Sequence, residues 1–252
     1  MKEKNVKLVI SYNGSRFYGW QRQKKEKSIQ ETIEKALKKI TGEDIKLIGC
    51  GRTDSKVHAI SYTVNFKTVS HLTAEQIKKA LNANLPYDIY VKSAEVVSSK
   101  FHSRYSAKKK IYRYLIICGE RSPFLNDFAC YIKEKLDIKN MRKAAGYFRG
   151  KHNFSAFQAS GSSVKDTIRT IYKISIKKEK FTLDPEVHLI SIEITADGFL
   201  YKMARNIIGT LIYAGLGKLS IEEIPEIIAS EDRKMVPPTA PPEGLYLKKV
   251  IY

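Results

Sequence analysis

The sequence is 252 residues long and 43% hydrophobic, which is enough apolar side chain to bury a sizeable core and argues against global disorder. Lys and Arg number 45 against 26 Asp and Glu, which gives a formal net charge of +19. A positive excess of this size favours a polyanionic partner, with nucleic acid ahead of an acidic membrane surface.

Several absences limit the environment of the protein. Apolar runs stay well below the roughly 20 residues that span a bilayer, and the N-terminal stretch lacks the long apolar segment of a signal peptide. Cys50, Cys118 and Cys130 are odd in number and widely spaced, so they predict neither a disulfide framework nor a zinc site. The histidines show no metal-ligand spacing either. We therefore expect a cytoplasmic protein without a metal site.

The first hundred residues alternate between strand and helix patterns. In chain order they predict a strand at 6–10, a helix over 28–40, strands at 46–50 and 60–66, a helix over 73–85 and a strand at 88–97. Ser28 and Glu31 have the spacing of a capping box, which marks the start of the first helix. The order βαββαβ is that of the ferredoxin-like split unit.

The second half repeats this order of elements without a clear sequence repeat. It predicts a strand at 111–117, a helix over 139–148, strands at 170–176 and 188–196, helices over 201–214 and 220–229, and a strand at 245–251. The predicted fold class is α+β, with two ferredoxin-like (βαββαβ) halves at 1–105 and 106–252. They would form a mixed, mainly antiparallel sheet of about eight strands, with helices on one face and a central cleft.

One polar loop lies between two predicted apolar strands. Residues 51–59 read GRTDSKVHA and place Asp54 beside Arg52, Lys56 and His58. Nearby positive charge favours an ionised carboxylate, which can act as a nucleophile or as a base. From these residues alone a structural role stays open, in which Asp54 caps loop amides and pairs with Arg52.

The loop is accompanied by other segments that are similar to the motifs of one enzyme family. They are YNG at 12–14, GWQ at 19–21, FHSRYSA at 101–107, YRY at 112–114, FSAF at 154–157, RTI at 169–171, GFL at 198–200, RNIIGTL at 205–211 and TAPP at 239–242. The motifs occur in the family's order and cover nearly the whole chain, so the match is highly specific. The chain resembles the TruA family of tRNA pseudouridine synthases, which implies isomerisation of uridine at positions 38–40 of the anticodon stem-loop.

The resemblance implies roles for five residues. Asp54 would be the catalytic carboxylate, Tyr112 would stack on the target uracil, and Arg205 would pair with Asp54. On pattern alone a core aromatic of an apolar strand is the favoured role for Tyr112, and the motif match reverses that preference. Arg52 would help to displace the target base, or would contact a phosphate. For His58, a phosphate contact and a loop-closing hydrogen bond both stay open. Isomerisation involves no redox step, so no cofactor is expected.

The predicted RNA-binding surface is less specific. Its candidate residues flank the motifs and are Arg22, Arg104, Lys108, Lys109, Lys110 and Arg113. Charge runs are commonly solvated faces, but the net charge and the neighbouring aromatic residues favour contact with nucleic acid. The resemblance also implies a homodimer in which one tRNA contacts both subunits.

The loop departs from the family pattern at two positions, where Ser55 replaces a common Ala and Lys56 replaces the usual Gly. Because Gly permits positive φ, Lys56 must take a different backbone or accept about 1–2 kcal/mol of left-handed strain. Its ammonium could instead meet an RNA phosphate. Two alternative functions remain: a catalytically lapsed RNA-binding or RNA-chaperone paralogue of the same fold, and an unrelated basic binding protein with a ferredoxin-like repeat.

Overall fold

The computed structural model describes residues 2–24, 26–161 and 164–252, and it divides into two compact units. Unit 1 comprises Met1–Lys108 with Tyr246–Tyr252, and unit 2 comprises Lys109–Leu245. The sequence pattern had divided the chain at 105/106 and had assigned the last strand to the second half. In the structure that strand belongs to unit 1.

Within the described residues the chain forms ten β-strands and five α-helices. In chain order they are β1 (Lys4–Tyr12), α1 (Ile29–Thr41), β2 (Ile48–Gly49), β3 (His58–Thr68), α2 (Ala74–Asn84), β4 (Ile89–Val97), β5 (Lys109–Cys118), β6 (Cys130–Ile132), α3 (Ile138–Tyr147), β7 (Gly150–Asn153), β8 (Ile168–Lys180), β9 (His188–Ala196), α4 (Met203–Gly215), α5 (Ile224–Ser230) and β10 (Leu245–Ile251). The predicted α+β class and the mainly antiparallel pairing are confirmed.

The sheet of unit 1 has the strand order β4-β1-β3, with antiparallel pairing throughout. Two strands share the remaining edge of β3. The short β2 pairs with β3 at Val64 and Asn65, and β10 runs parallel to β3 at His58 and Ala59. Because β2 is only two residues long, it leaves the first part of β3 open for the C-terminal strand. This pairing places β10 in unit 1.

Local signals explain where the helices of unit 1 begin. Ser28 Oγ accepts a hydrogen bond from the backbone N–H of Glu31 at 3.3 Å, whereas the Glu31 carboxylate lies 2.8 Å from Lys35 Nζ. At α2 the capping box is complete, since Thr73 and Gln76 exchange side-chain and backbone hydrogen bonds. Such caps satisfy amides that have no partner within the helix.

The strands of unit 2 pair in the order β5-β9-β8-β7, and each of these pairs is antiparallel. The short strand β6 runs parallel to β5. The strands β6 and β7 were not predicted, because three or four residues are too few for a periodic apolar pattern. Helix α4 is buried along most of its length and supplies Ile207, Ile208 and Leu211 to the core. The helix predicted at 220–229 begins as a 3₁₀ turn and continues as α5.

Candidate active site

The Asp54 loop connects β2 to β3 and is held by the segment that follows β1. The Trp20 N–H donates to the Thr53 carbonyl at 3.1 Å, and the Lys56 N–H donates to the Phe17 carbonyl at 3.2 Å. These two bonds bracket Asp54 on both sides in the sequence. The backbone of the loop is therefore fixed on both sides of Asp54 by another stretch of backbone.

Two glycines make this close approach possible. A Cβ atom added to Gly14 would lie 2.1 Å from the Val57 carbonyl oxygen, and one added to Gly19 would lie 2.5 Å from the Thr53 carbonyl oxygen. Gly19 also has φ +88°, a conformation that residues with a Cβ rarely adopt. Any larger residue at either position would push the Asp54 loop away from its support.

Buried side chains complete the attachment of the loop. The hydroxyls of Tyr12 and Thr53 are 2.9 Å apart and share a hydrogen bond. His58 is 1% exposed, its Nδ1 accepts from the Gly14 N–H at 3.1 Å, and its ring stacks on Tyr246 with centroids 4.7 Å apart. The structure thus gives His58 the loop-closing hydrogen bond, one of the two roles that the sequence left open.

The charged residues of the loop point toward solvent to different degrees. Arg52 and Lys56 are exposed, and Asp54 is partly exposed. Lys56 has φ +64°, so it keeps the left-handed backbone that a glycine would adopt most easily. This chain therefore carries about 1–2 kcal/mol of left-handed backbone strain at Lys56. The Lys56 side chain places an ammonium group two residues after Asp54.

In unit 2, β5 carries two tyrosines with different surroundings. Tyr114 is 0% exposed, and its hydroxyl donates to the Pro241 carbonyl at 2.9 Å; burial raises its pKa well above the usual range. Tyr112 is half-buried, and its ring meets Phe199 edge to face at 4.8 Å and 85°. The role of a buried core aromatic therefore fits Tyr114, whereas Tyr112 is only half-buried.

Arg205 lies near the start of α4 and forms hydrogen bonds with Ala240 of the C-terminal motif TAPP at 239–242. Its Nε–H donates to the Ala240 carbonyl at 2.8 Å, and the Ala240 N–H donates back to the Arg205 carbonyl at 3.1 Å. Arg205 is half-buried. This reciprocal pair limits the rotation of the guanidinium and links α4 to residues 35 positions later in the chain.

Asn206 is the hub of this arrangement, although the sequence analysis assigned it no role. It is 0% exposed, and its Nδ2 donates to the Phe157 carbonyl at 2.7 Å. Its Oδ1 accepts from Thr239 Oγ1 at 2.6 Å and from Arg233 Nη2 at 3.3 Å. Burial lowers the pKa of Arg233. A buried asparagine in an otherwise apolar helix face was the signal that could have indicated it.

Two of the predicted RNA-binding residues form ion pairs with carboxylates. Arg22 Nη2 lies 3.0 Å from the Glu34 carboxylate, and Arg113 is paired with Glu179. These two cations are thus partly neutralised within their own units. The exposed candidates are Arg104, Lys108 and Lys109, and Lys110 is half-buried.

Two negative findings concern the described part of the chain, residues 2–24, 26–161 and 164–252. It contains no cluster of three or more His, Cys, Asp or Glu side chains that could hold a metal ion. None of its helices has the length and apolar character needed to cross a membrane.

Comparison with known proteins agrees with the pattern of motifs. The model of the tRNA pseudouridine synthase family matches residues 8–106 and 144–252. Curated proteins named tRNA pseudouridine synthase A are 47% identical in Thermoanaerobacter sp. (strain X514) and 46% identical in Acetivibrio thermocellus, each over 99% of this chain and 100% of the relative. Clostridium perfringens has a relative named tRNA pseudouridine synthase A 2, 44% identical over the same extent. The chain therefore belongs to the TruA family of tRNA pseudouridine synthases.

Proposed function

We propose that this enzyme isomerises uridine to pseudouridine at positions 38–40 of the tRNA anticodon stem-loop, with Asp54 as the catalytic carboxylate. The observation that carries the proposal is the partly exposed Asp54 on a loop fixed by backbone hydrogen bonds at Thr53 and Lys56. A catalytic group needs this kind of support, because misplacement by about 1 Å can reduce the rate by about 10²-fold.

The reaction requires a carboxylate and a pocket that retains the detached base. The bond between uracil N1 and the sugar breaks, the base turns, and a bond forms between C5 and the sugar, with the C5 proton released to solvent and a proton taken up at N1. An ionised carboxylate can attack the sugar, attack the base, or remove a sugar proton. No electrons leave the substrate overall, so the isomerisation needs no redox cofactor.

Other residues meet the target nucleotide in this proposal. Tyr112 stacks on the uracil, for which base–aromatic contacts contribute about 1–3 kcal/mol. Arg205 binds the nucleotide through a guanidinium that Ala240 orients. Arg52, which is exposed, enters the space that the displaced base leaves or contacts a phosphate. His58 acts indirectly, by holding Gly14 against the loop.

The proposal extends to partners and location. The exposed Arg104, Lys108 and Lys109 contact tRNA phosphates, so affinity falls steeply as salt rises. The functional form is a homodimer that binds tRNA with both subunits, and mass measurement in solution by light scattering tests it. Because tRNA is the substrate, the protein works in the cytoplasm.

Tritium release from an unmodified tRNA transcript labelled at uracil C5 tests the function directly. The wild type, without added cofactor, should release tritium, and Asp54→Ala should release none while binding tRNA with nearly unchanged affinity. Asp44→Ala is the matched control, since Asp44 is an exposed carboxylate of unit 1 that pairs with Lys38. Binding without release by the wild type would favour the lapsed paralogue instead, and absence of tRNA binding would reject the proposal.

A further inference from the structure

The segment 101–106 (FHSRYS) is attached to the sheet of unit 1 by two buried asparagines. Asn65 Oδ1 accepts from the Ser103 N–H at 2.8 Å, and Asn5 Nδ2 donates to the Phe101 carbonyl at 3.0 Å. The two amides are also joined, since Asn65 Nδ2 donates to Asn5 Oδ1 at 3.0 Å. Asn5, Asn65 and Ser103 are 3%, 2% and 0% exposed. Because these buried side-chain amides form their hydrogen bonds with segment 101–106, they hold that segment in one position.

Two further contacts fix the base of this loop. Ser103 Oγ donates to the Ile48 carbonyl at 2.5 Å, and Tyr252 Oη donates to the Ser103 carbonyl at 2.8 Å. The Tyr252 ring also packs against Phe101 with centroids 5.0 Å apart. The N–H, carbonyl and hydroxyl of Ser103 are all bonded, each to a different part of unit 1.

His102 shapes the turn that follows. Its Nδ1 accepts from the N–H groups of Arg104 and Tyr105, both at 3.2 Å. The His102 carbonyl accepts from the Ser106 N–H at 2.9 Å, and Ser106 Oγ accepts from the His102 N–H at 3.2 Å. The turn is closed by its own first and last residues.

This rigid turn presents an aromatic ring to solvent. Tyr105 is 76% exposed, although its ring lies 4.3 Å from the His102 ring and 5.5 Å from the Arg104 guanidinium carbon. Arg104 is exposed next to it in the chain, and Lys108, three residues later, is exposed as well. An aromatic ring held in place among exposed cations has the chemistry of a nucleic-acid contact, in which a base covers the ring and the cations meet phosphates.

We infer that Tyr105 is a stacking platform for a nucleobase of the bound RNA, separate from the uracil that is isomerised. The inference rests on the proposed function for the identity of the RNA. Because hydrogen bonds already order the loop, little conformational entropy is lost when a base stacks on Tyr105. The partner is RNA rather than an apolar protein surface, since the Arg104 guanidinium lies against the ring and the exposed Lys108 follows three residues later in the chain.

Equilibrium binding of a fluorescently labelled tRNA transcript over a series of KCl concentrations tests this inference. Tyr105→Ala should weaken binding by about 5- to 150-fold with an unchanged slope of log affinity against log salt. Tyr105→Phe should bind as the wild type does. Arg104→Ala should reduce the magnitude of that slope by about 0.7–0.9, as expected for one lost phosphate contact. Tyr87→Ala is the matched control, because Tyr87 is a fully exposed tyrosine of the same unit.

Three results would overturn the inference: wild-type affinity in Tyr105→Ala, an equal loss in Tyr105→Phe, or an equal loss in Tyr87→Ala. Tritium release by the same wild-type preparation keeps the two proposals distinguishable. An active wild type whose Tyr105→Ala variant binds normally rejects only the stacking platform. An inactive wild type whose Tyr105→Ala variant loses RNA affinity rejects the isomerase proposal and supports the platform.

Discussion

The Asp54 loop and the Arg205 region are both held firmly, but main-chain bonds predominate at the loop and side-chain bonds predominate at Arg205 and its neighbour Asn206. The loop is anchored through main-chain bonds to Phe17 and Trp20 and through the bare backbone of Gly19. Arg205 is anchored by reciprocal bonds with Ala240, one from its side-chain Nε–H and one to its carbonyl, and the neighbouring Asn206 adds a buried side-chain amide.

The difference follows from what each segment has available. The loop is not part of a helix or strand, so its backbone N–H and carbonyl groups are available to bond the neighbouring segment. In a helix such as α4 most main-chain groups are hydrogen-bonded internally, so side chains provide most of the attachment, beside the bond from the Ala240 N–H to the Arg205 carbonyl. The vulnerable positions are therefore the glycines beside the loop and the buried polar residue Asn206 within α4.

The largest expected effect comes from Asp54→Asn, which keeps the shape of the side chain and removes its charge. We expect turnover to fall by about 10⁴-fold or more, with tRNA affinity within about twofold of the wild type. Tritium release under single-turnover conditions and filter binding measure the two quantities. Retention of a tenth of the activity would show that the loop matters for its fold rather than for its carboxylate.

Gly19→Ala tests the backbone anchorage of the loop. The new Cβ would meet the Thr53 carbonyl in a residue with φ +88°, so we expect about 2–4 kcal/mol of destabilisation and a kcat lower by about 10- to 100-fold.

Gly42→Ala is the matched control, since Gly42 has φ +76° and nothing within 4 Å of an added Cβ. It should cost about 1–2 kcal/mol in urea unfolding and leave kcat unchanged. Equal kcat values for the two alanine variants would contradict the proposed support of the loop.

Asn206→Ala tests the side-chain anchorage in unit 2. It removes a donor from the Phe157 carbonyl and an acceptor from Thr239 and Arg233, so we expect about 2–4 kcal/mol of destabilisation. Release of the Arg205 region should also lower kcat by about tenfold.

Asn82→Ala provides the comparison, because Asn82 bonds both the N–H and the carbonyl of Val91 away from the candidate site. Loss of stability is expected there as well, measured by urea unfolding, but kcat should not change. A similar fall in kcat for both variants would mean that Asn206 acts through general stability alone.

The smallest effect is expected for Lys56→Gly. Relief of left-handed strain and the added flexibility of glycine nearly cancel, so stability should change by less than about 1 kcal/mol. If the ammonium meets a phosphate, the magnitude of the salt slope of tRNA binding should fall by about 0.7–0.9. Lys39→Gly would perturb α1, so Lys2→Gly near the chain start is the better control for loss of one charge. An unchanged slope would remove Lys56 from the RNA contacts.

Much of the fold could be predicted from local patterns. The strands β1, β3 and β9 carry clear apolar alternation, and α1 and α2 begin at the capping residues Ser28 and Thr73. The short β6 and β7 could not be predicted, because too few residues form them and their pairing depends on neighbours distant in sequence. The placement of β10 on β3 could not be predicted either, since a strand pattern does not reveal its partner.

For the candidate site, the sequence by itself determined the family and the reaction class and predicted Asp54 as the catalytic carboxylate, because these depend on residue types in a fixed order. Tertiary structure alone decided that His58 turns inward to Gly14, that Lys56 keeps a left-handed backbone, and that Asn206 supports the Arg205 region. Each of these outcomes is a contact or a torsion angle created when segments far apart in the chain meet. The amino-acid sequence specifies which side-chain and backbone groups are available. Packing determines which of these groups face a partner within the protein and which face the solvent.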